Sequence, residues 1–203
     1  MAWSNAPQQN GMQNMQPIQT DGEKKSLRIG RIYAIDSKID VGMCRTAKGG
    51  FYVTISITSG VKNPATGQTS YENGTPMERP SMLLNAPQCA AILKAVTTKD
   101  GSIKAPSELS APIMLDSGVD SKMTLTPMGN SITLSLDSQK RGSRSATIPA
   151  INLGSGEFNG AWEVFMKYIE FGYLKLVTNK LDPEEFGNVN IVEDSSNNDV
   201  PFN

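Results

Sequence analysis

The sequence predicts an α+β fold, in which a β-rich body of antiparallel sheet carries two helices between two polar terminal segments. Three observations predict it. Residues 51–57 alternate Phe51, Val53, Ile55 and Ile57 with Tyr52, Thr54 and Ser56, the period of a half-buried strand. Ile132, Leu134 and Leu136 alternate with Thr133 and Ser135 in the same way. Apolar residues recur at helical spacing in two stretches, one holding Ala90, Ile92, Leu93 and Val96, the other Trp162, Phe165, Ile169 and Tyr173.

Taken in order, residues 1–23 are rich in Gln, Asn and Met and show no hydrophobic period. Such a segment cannot offset its ordering entropy by burial, so it is expected to be disordered. Trp3 is its one large aromatic residue. The ordered body is expected over residues 24–181. Leu27, Ile29, Ile32 and Ala34 open it as a short strand, with Ile39 and Val41 following. Gly49 and Gly50 then mark a turn before the strand at 51–57. Residues 59–80 hold Gly60, Pro64, Gly67, Gly74, Pro76 and Pro80 and read as a long polar loop.

Residues 86–96 read as a helix, with Asn85 as N-cap and Pro87 in the first turn, where a missing N–H costs little. Cys89 is expected in its packed face. Strands follow at 113–115, 122–127 and 131–137, the last two joined by a hairpin through Met128, Gly129 and Asn130. Residues 138–145 read as a basic loop and 146–151 as one more strand. The second helix spans 157–178, and Gly172 is expected to kink it or end it, leaving 173–177 as a strand. Residues 182–203 read as a disordered acidic tail. The order of strands, loop and helix at 41–97 has a weak echo at 122–172.

Charge is distributed unevenly. The 203 residues carry 19 Lys and Arg against 20 Asp and Glu, a net charge of -1. Residues 24–145 hold 16 basic and 9 acidic side chains, whereas residues 146–203 hold 3 basic and 9 acidic. A basic body with an acidic end suggests a polyanion ligand and a terminal segment that repels or imitates it. A solvated tail with chance clustering is the plainer alternative.

Several function classes are disfavoured. The chain has no histidine, which removes imidazole catalysis and most catalytic zinc sites. It has no Walker loop, and Asp36 and Asp40 read as surface acids. The expectation is a non-enzymatic protein with no cofactor and no metal. Cys44 and Cys89 are far apart, which suits a reducing compartment. No apolar run reaches the roughly 18 residues of a membrane span, and no signal-peptide pattern opens the chain.

The residues do suggest binding. Arg28, Arg31, Lys38, Arg45 and Lys48 flank strands that also offer Tyr33, Phe51 and Tyr52. Nonspecific single-strand binding needs this mixture: cations release counterions from the backbone, and aromatic rings accept unstacked bases. Phe51 shares its face with Val53 and Ile55 and is expected in the core. Tyr52 shares its face with Thr54 and Ser56, so it is either a base-stacking residue or an ordinary exposed tyrosine. Lys140, Arg141 and Arg144 mark a second basic site, or else a solvated hairpin tip. Arg79 and Lys62 are expected in the long loop, within reach of a bound strand. No basic recognition helix is visible, which disfavours a duplex reader.

The chain closes with acidic residues, then Asp199, Val200, Pro201, Phe202 and Asn203. This resembles the acidic tip of bacterial and phage single-stranded-DNA-binding proteins, in which acidic residues precede an aliphatic residue, Pro and Phe. It departs from that pattern in placing Asn203 after the aromatic residue and in diluting the acids with Ser and Asn. The strand–helix order resembles the Whirly and related transcriptional-coactivator folds at least as much as the oligonucleotide-binding (OB) barrel. The Gln- and Met-rich start is similar to that of phage proteins, some of which bind single strands and assist a phage RNA polymerase.

The resemblance implies sequence-nonspecific binding of single-stranded DNA, with RNA as an open alternative, in phage replication or transcription. It implies a tail of Asp199, Val200, Pro201 and Phe202 that recruits replication or RNA polymerase proteins, and a cytoplasmic location in the host cell. Self-association into a homo-oligomer stays open. The competing expectation is a protein-interaction or assembly module whose contact face is the helix carrying Trp162 and Tyr173.

Overall fold

The alternation that begins at Phe51 runs five residues further than its apolar members predict. In the computed structural model, which describes residues 27–34, 37–45, 50–71, 79–117, 120–150 and 161–178, it forms a twelve-residue strand, β3 (Phe51–Lys62). Of two earlier strands, β2 (Ser37–Arg45) pairs with it antiparallel, and β1 (Leu27–Ala34) pairs antiparallel with β2. Its other edge is shared between β4 (Thr69–Tyr71), opposite Gly60–Lys62, and β5 (Ser81–Leu84), opposite Val53–Ser56. The segment expected as one loop over 59–80 thus supplies a strand end and a short strand. Thr58 and Val61 are β-formers, and β4 satisfies the backbone groups that the extension would otherwise expose.

The helix α1 (Ala86–Val96) starts where the sequence predicts. Asn85 accepts from the Gln88 backbone N–H at 2.9 Å, and the Gln88 side chain accepts from the Asn85 N–H at 3.0 Å, so two orphan donors are satisfied reciprocally. Cys89, Ile92 and Val96 are buried at its packed face. A 3₁₀ turn (Pro106–Glu108) leads to the second sheet, a meander of β6 (Ile113–Asp116), β7 (Ser121–Pro127), β8 (Ser131–Ser138) and β9 (Gly142–Pro149). The β7–β8 hairpin closes through Gly129 and Asn130, with the Met128 N–H donating to the Ser131 carbonyl at 2.8 Å. Strand β9 begins at Gly142 rather than at 146, because residues 143–145 continue the ladder opposite Asp137, Leu136 and Ser135.

The last element is α2 (Ala161–Thr178). It passes through Gly172 without a break, so the expected kink or strand there is replaced by helix. The reason is packing: a Cβ at Gly172 would lie 2.5 Å from a Val53 methyl, so the missing side chain lets α2 approach β3. Trp162, Phe165 and Ile169 are buried, and the Trp162 indole N–H donates to the Lys104 carbonyl at 2.9 Å. That pins α2 to the segment following α1.

The chain therefore runs sheet, helix, sheet, helix, two antiparallel sheets and two helices in the α+β class that the residues predict. One core joins the inner faces of both sheets: Ile39, Val41, Ile55, Ile57 and Met82 from the first, Met123, Leu125, Ile132, Leu134 and Ile148 from the second. Each such side chain contributes roughly 1.5–3 kcal/mol by leaving water. No described helix is long and apolar enough to cross a membrane. The segments 1–23 and 182–203, residues 157–160 and Lys48 lie outside the described residues.

Candidate nucleic-acid interface

Because β1, β2, β3 and β5 bury one face, register decides what the other face presents. Cross-strand partners share a face. One row runs Arg31, Asp40, Ser56 and Ser81 across the four strands, about 14 Å from first to last at ordinary strand spacing. The next runs Tyr33, Lys38 and Thr58. Arg28 flanks the first row beside Gly42 and Thr54, and Tyr52 lies at one end of the same face, opposite Cys44.

Two more cations join from elsewhere in the chain. The Arg79 guanidinium donates to the Thr58 hydroxyl at 2.7 Å, and Thr58 is fully buried. Arg141, in the β8–β9 turn, donates to the Ser81 hydroxyl at 3.2 Å. A segment 60 residues away from β5 thus completes the row that begins at Arg31. Among the described residues, Arg28, Arg31, Lys38, Arg79 and Arg141 share this face with the carboxylate of Asp40.

Asp40 orders the arginines. Arg31 donates to both of its oxygens, from Nε at 2.7 Å and Nη2 at 3.2 Å, and Arg28 Nε approaches at 3.5 Å. The bond to Asp40 raises the Arg31 pKa, burial opposes it, and the Tyr33 hydroxyl adds to the rise. At the end of the face opposite Tyr52, the Tyr33 and Tyr71 ring centroids are 6.0 Å apart and tilted by 50°. The Lys38 ammonium lies 4.9 Å from the Tyr71 centroid, a cation–π contact. Sequence reasoning missed Tyr71. The signal for it was weak, because one tyrosine in a Gly- and Pro-rich stretch resembles any loop residue until β4 pairs with Gly60.

Other predicted residues go elsewhere. Arg45 pairs with Phe51 on the opposite face, its guanidinium 5.6 Å from that ring, and Phe51 is only half-buried and stands outside the core cluster in which the sequence predicts it. Arg144 lies in β9 opposite Leu136 and faces the inner side of the second sheet, not a loop. Lys140 stays in the exposed β8–β9 turn beside Arg141. A depression on the second sheet, lined by Asp116, Asp120, Asp137 and Lys122, has the opposite sign. The acidic tail residues Asp199, Val200, Pro201 and Phe202 lie outside the described residues.

No protein-family model matches the chain, and no curated protein is similar to it.

Proposed function

We propose that this protein is a non-enzymatic, sequence-nonspecific binder of single-stranded nucleic acid, DNA in the first instance, acting in phage replication or transcription in the host cytoplasm. The observation that carries the reading is the grouping of five cations and the Tyr33–Tyr71 pair on one sheet face around Asp40. The cations neutralise phosphates and release counterions, while the rings offer π-surface to any base, so affinity does not depend on sequence. A sheet face with no helix among the described residues projecting from it suits a flexible strand better than a duplex groove. The acidic tail, through Asp199, Val200, Pro201 and Phe202, recruits replication or RNA polymerase proteins and competes for the same cations when no strand is bound.

Anisotropy titration with single-stranded DNA, duplex DNA and RNA probes tests this reading. Single strands bind tightest, affinity falls steeply with salt, and removal of residues 182–203 leaves affinity unchanged or stronger. Absence of single-strand binding at low salt overturns it.

One observation favours a second reading, a protein-interaction module. The helix α2 leaves Phe171, Leu174 and Val177 about half exposed along its C-terminal half. The face expected for this role, with Trp162, is buried in the core instead. Capture of a protein partner that requires Phe171 and Leu174, by a chain that binds no nucleic acid, would favour this reading.

A further inference from the structure

We propose that Tyr33 is the base-stacking platform of the outer sheet face, held in place by Tyr71 and flanked by the cations that take the adjoining phosphates. The inference rests on the single-strand reading and adds to it the chemistry of one position: an unstacked nucleobase. Tyr33 is 59% exposed, which leaves its ring open to a ligand. An exposed tyrosine on a sheet edge is ordinarily free to reorient, and ordering it on binding costs free energy. Here the ordering is already done. Tyr71 braces the ring from 6.0 Å at a 50° tilt, while Lys38 covers Tyr71 at 4.9 Å.

Gly60 makes the brace possible. A Cβ there would fall 2.6 Å from a Thr69 methyl and 3.0 Å from the Tyr71 ring, so only a residue without a side chain lets that ring lie across β3 toward Lys38 and Tyr33. Burial, then the Tyr33 hydroxyl, push the Tyr71 phenol upward, while Arg31 pulls it back. A base stacked on Tyr33 has Arg31 and Lys38 within its own neighbourhood, as cross-strand and same-face neighbours, for the phosphates on either side. Tyr52 has no comparable aromatic contact among the described residues and is half-buried at the far end of the face.

The test compares oligothymidylate with an abasic phosphate strand of equal length, by anisotropy at one salt concentration, with folding checked by circular dichroism. Tyr33→Leu is expected to weaken oligothymidylate binding by about 5- to 150-fold and abasic-strand binding by less than about twofold. Tyr33→Phe keeps the ring and is expected to bind like the parent protein. Tyr71→Leu removes the brace and produces a smaller loss, again confined to the strand with bases. Equal losses on both strands, or no loss on either, would overturn the platform while leaving single-strand binding standing. A parent protein that binds neither strand overturns the single-strand reading as well.

Discussion

Asp40 grips Arg31 with both carboxylate oxygens, at 2.7 and 3.2 Å, on the sheet face that also carries Arg28 and Lys38. Both side chains are about three-quarters shielded from solvent. A bidentate arginine is held in one geometry, and a carboxylate at this point also opposes any incoming phosphate.

Replacing that carboxylate separates the two effects. Asp40→Asn is expected to lower stability by about 1–3 kcal/mol, since hydrogen bonds to a charged group are lost. Single-strand affinity at low salt is expected to rise, with the slope of log K against log salt steeper by about 0.7, one extra phosphate contact. Urea unfolding and salt-dependent anisotropy read the two quantities. Weaker binding at an unchanged slope would mean that Asp40 serves only to position the arginines.

The two cations recruited from outside the first three strands make a sharper comparison. Arg79→Ala and Arg141→Ala are each expected to reduce the salt slope by about 0.7. Arg45→Ala, on the opposite face beside Phe51, is expected to leave it unchanged. Equal effects at all three positions would show a diffuse electrostatic attraction with no track across the outer face.

Gly172 is a packing position. Alanine there gains up to about 1 kcal/mol of helix propensity but forces a methyl against Val53, a stiff β-branched side chain that is fully buried. Overpacking of this kind costs about 1–3 kcal/mol, so Gly172→Ala is expected to be net destabilising by about 1 kcal/mol in urea unfolding. A stabilised variant would show that α2 can lift from β3 at little cost.

The buried thiols predict alkaline sensitivity. Burial pushes both Cys44 and Cys89 up to about 12, from an ordinary value near 9; for Cys89 a backbone hydrogen bond partly opposes the rise. Above about pH 9 the unfolded chain ionises both thiols while the folded chain still holds their protons, so the unfolded state binds fewer protons and stability falls as pH rises toward 12. Below about pH 9 the full contribution is present. At about pH 10.5 the loss is about 2 kcal/mol per thiol. The shift in urea midpoint between about pH 7.5 and about pH 10.5 should shrink in Cys44→Ala/Cys89→Ala. An unchanged shift would place the alkaline sensitivity in other groups.

Local patterning determined much of this molecule without help from distant residues. The two-residue period of β3 and β8, the Asn85 cap with Pro87 behind it, and the turn at Gly129 and Asn130 each depend on neighbours in sequence, and each is where the residues predict. The outward facing of Tyr52, Thr54 and Ser56 follows from the same alternation. Tertiary structure decided the rest. Gly172 reads as a helix breaker because its propensity is poor, and only the closeness of Val53 reveals why a helix tolerates it. Arg144 reads as a loop residue until Leu136 pairs with it, and Arg45 reads as one of the strand cations until register turns it to the other face. Tyr71 and Arg141 meet the outer face through pairing with Gly60 and a contact with Ser81, across separations that no local period encodes. Alternation dictates which side of its own strand a residue occupies. Which strands stand beside one another, and which cations therefore share a face, is set by the burial of a common core.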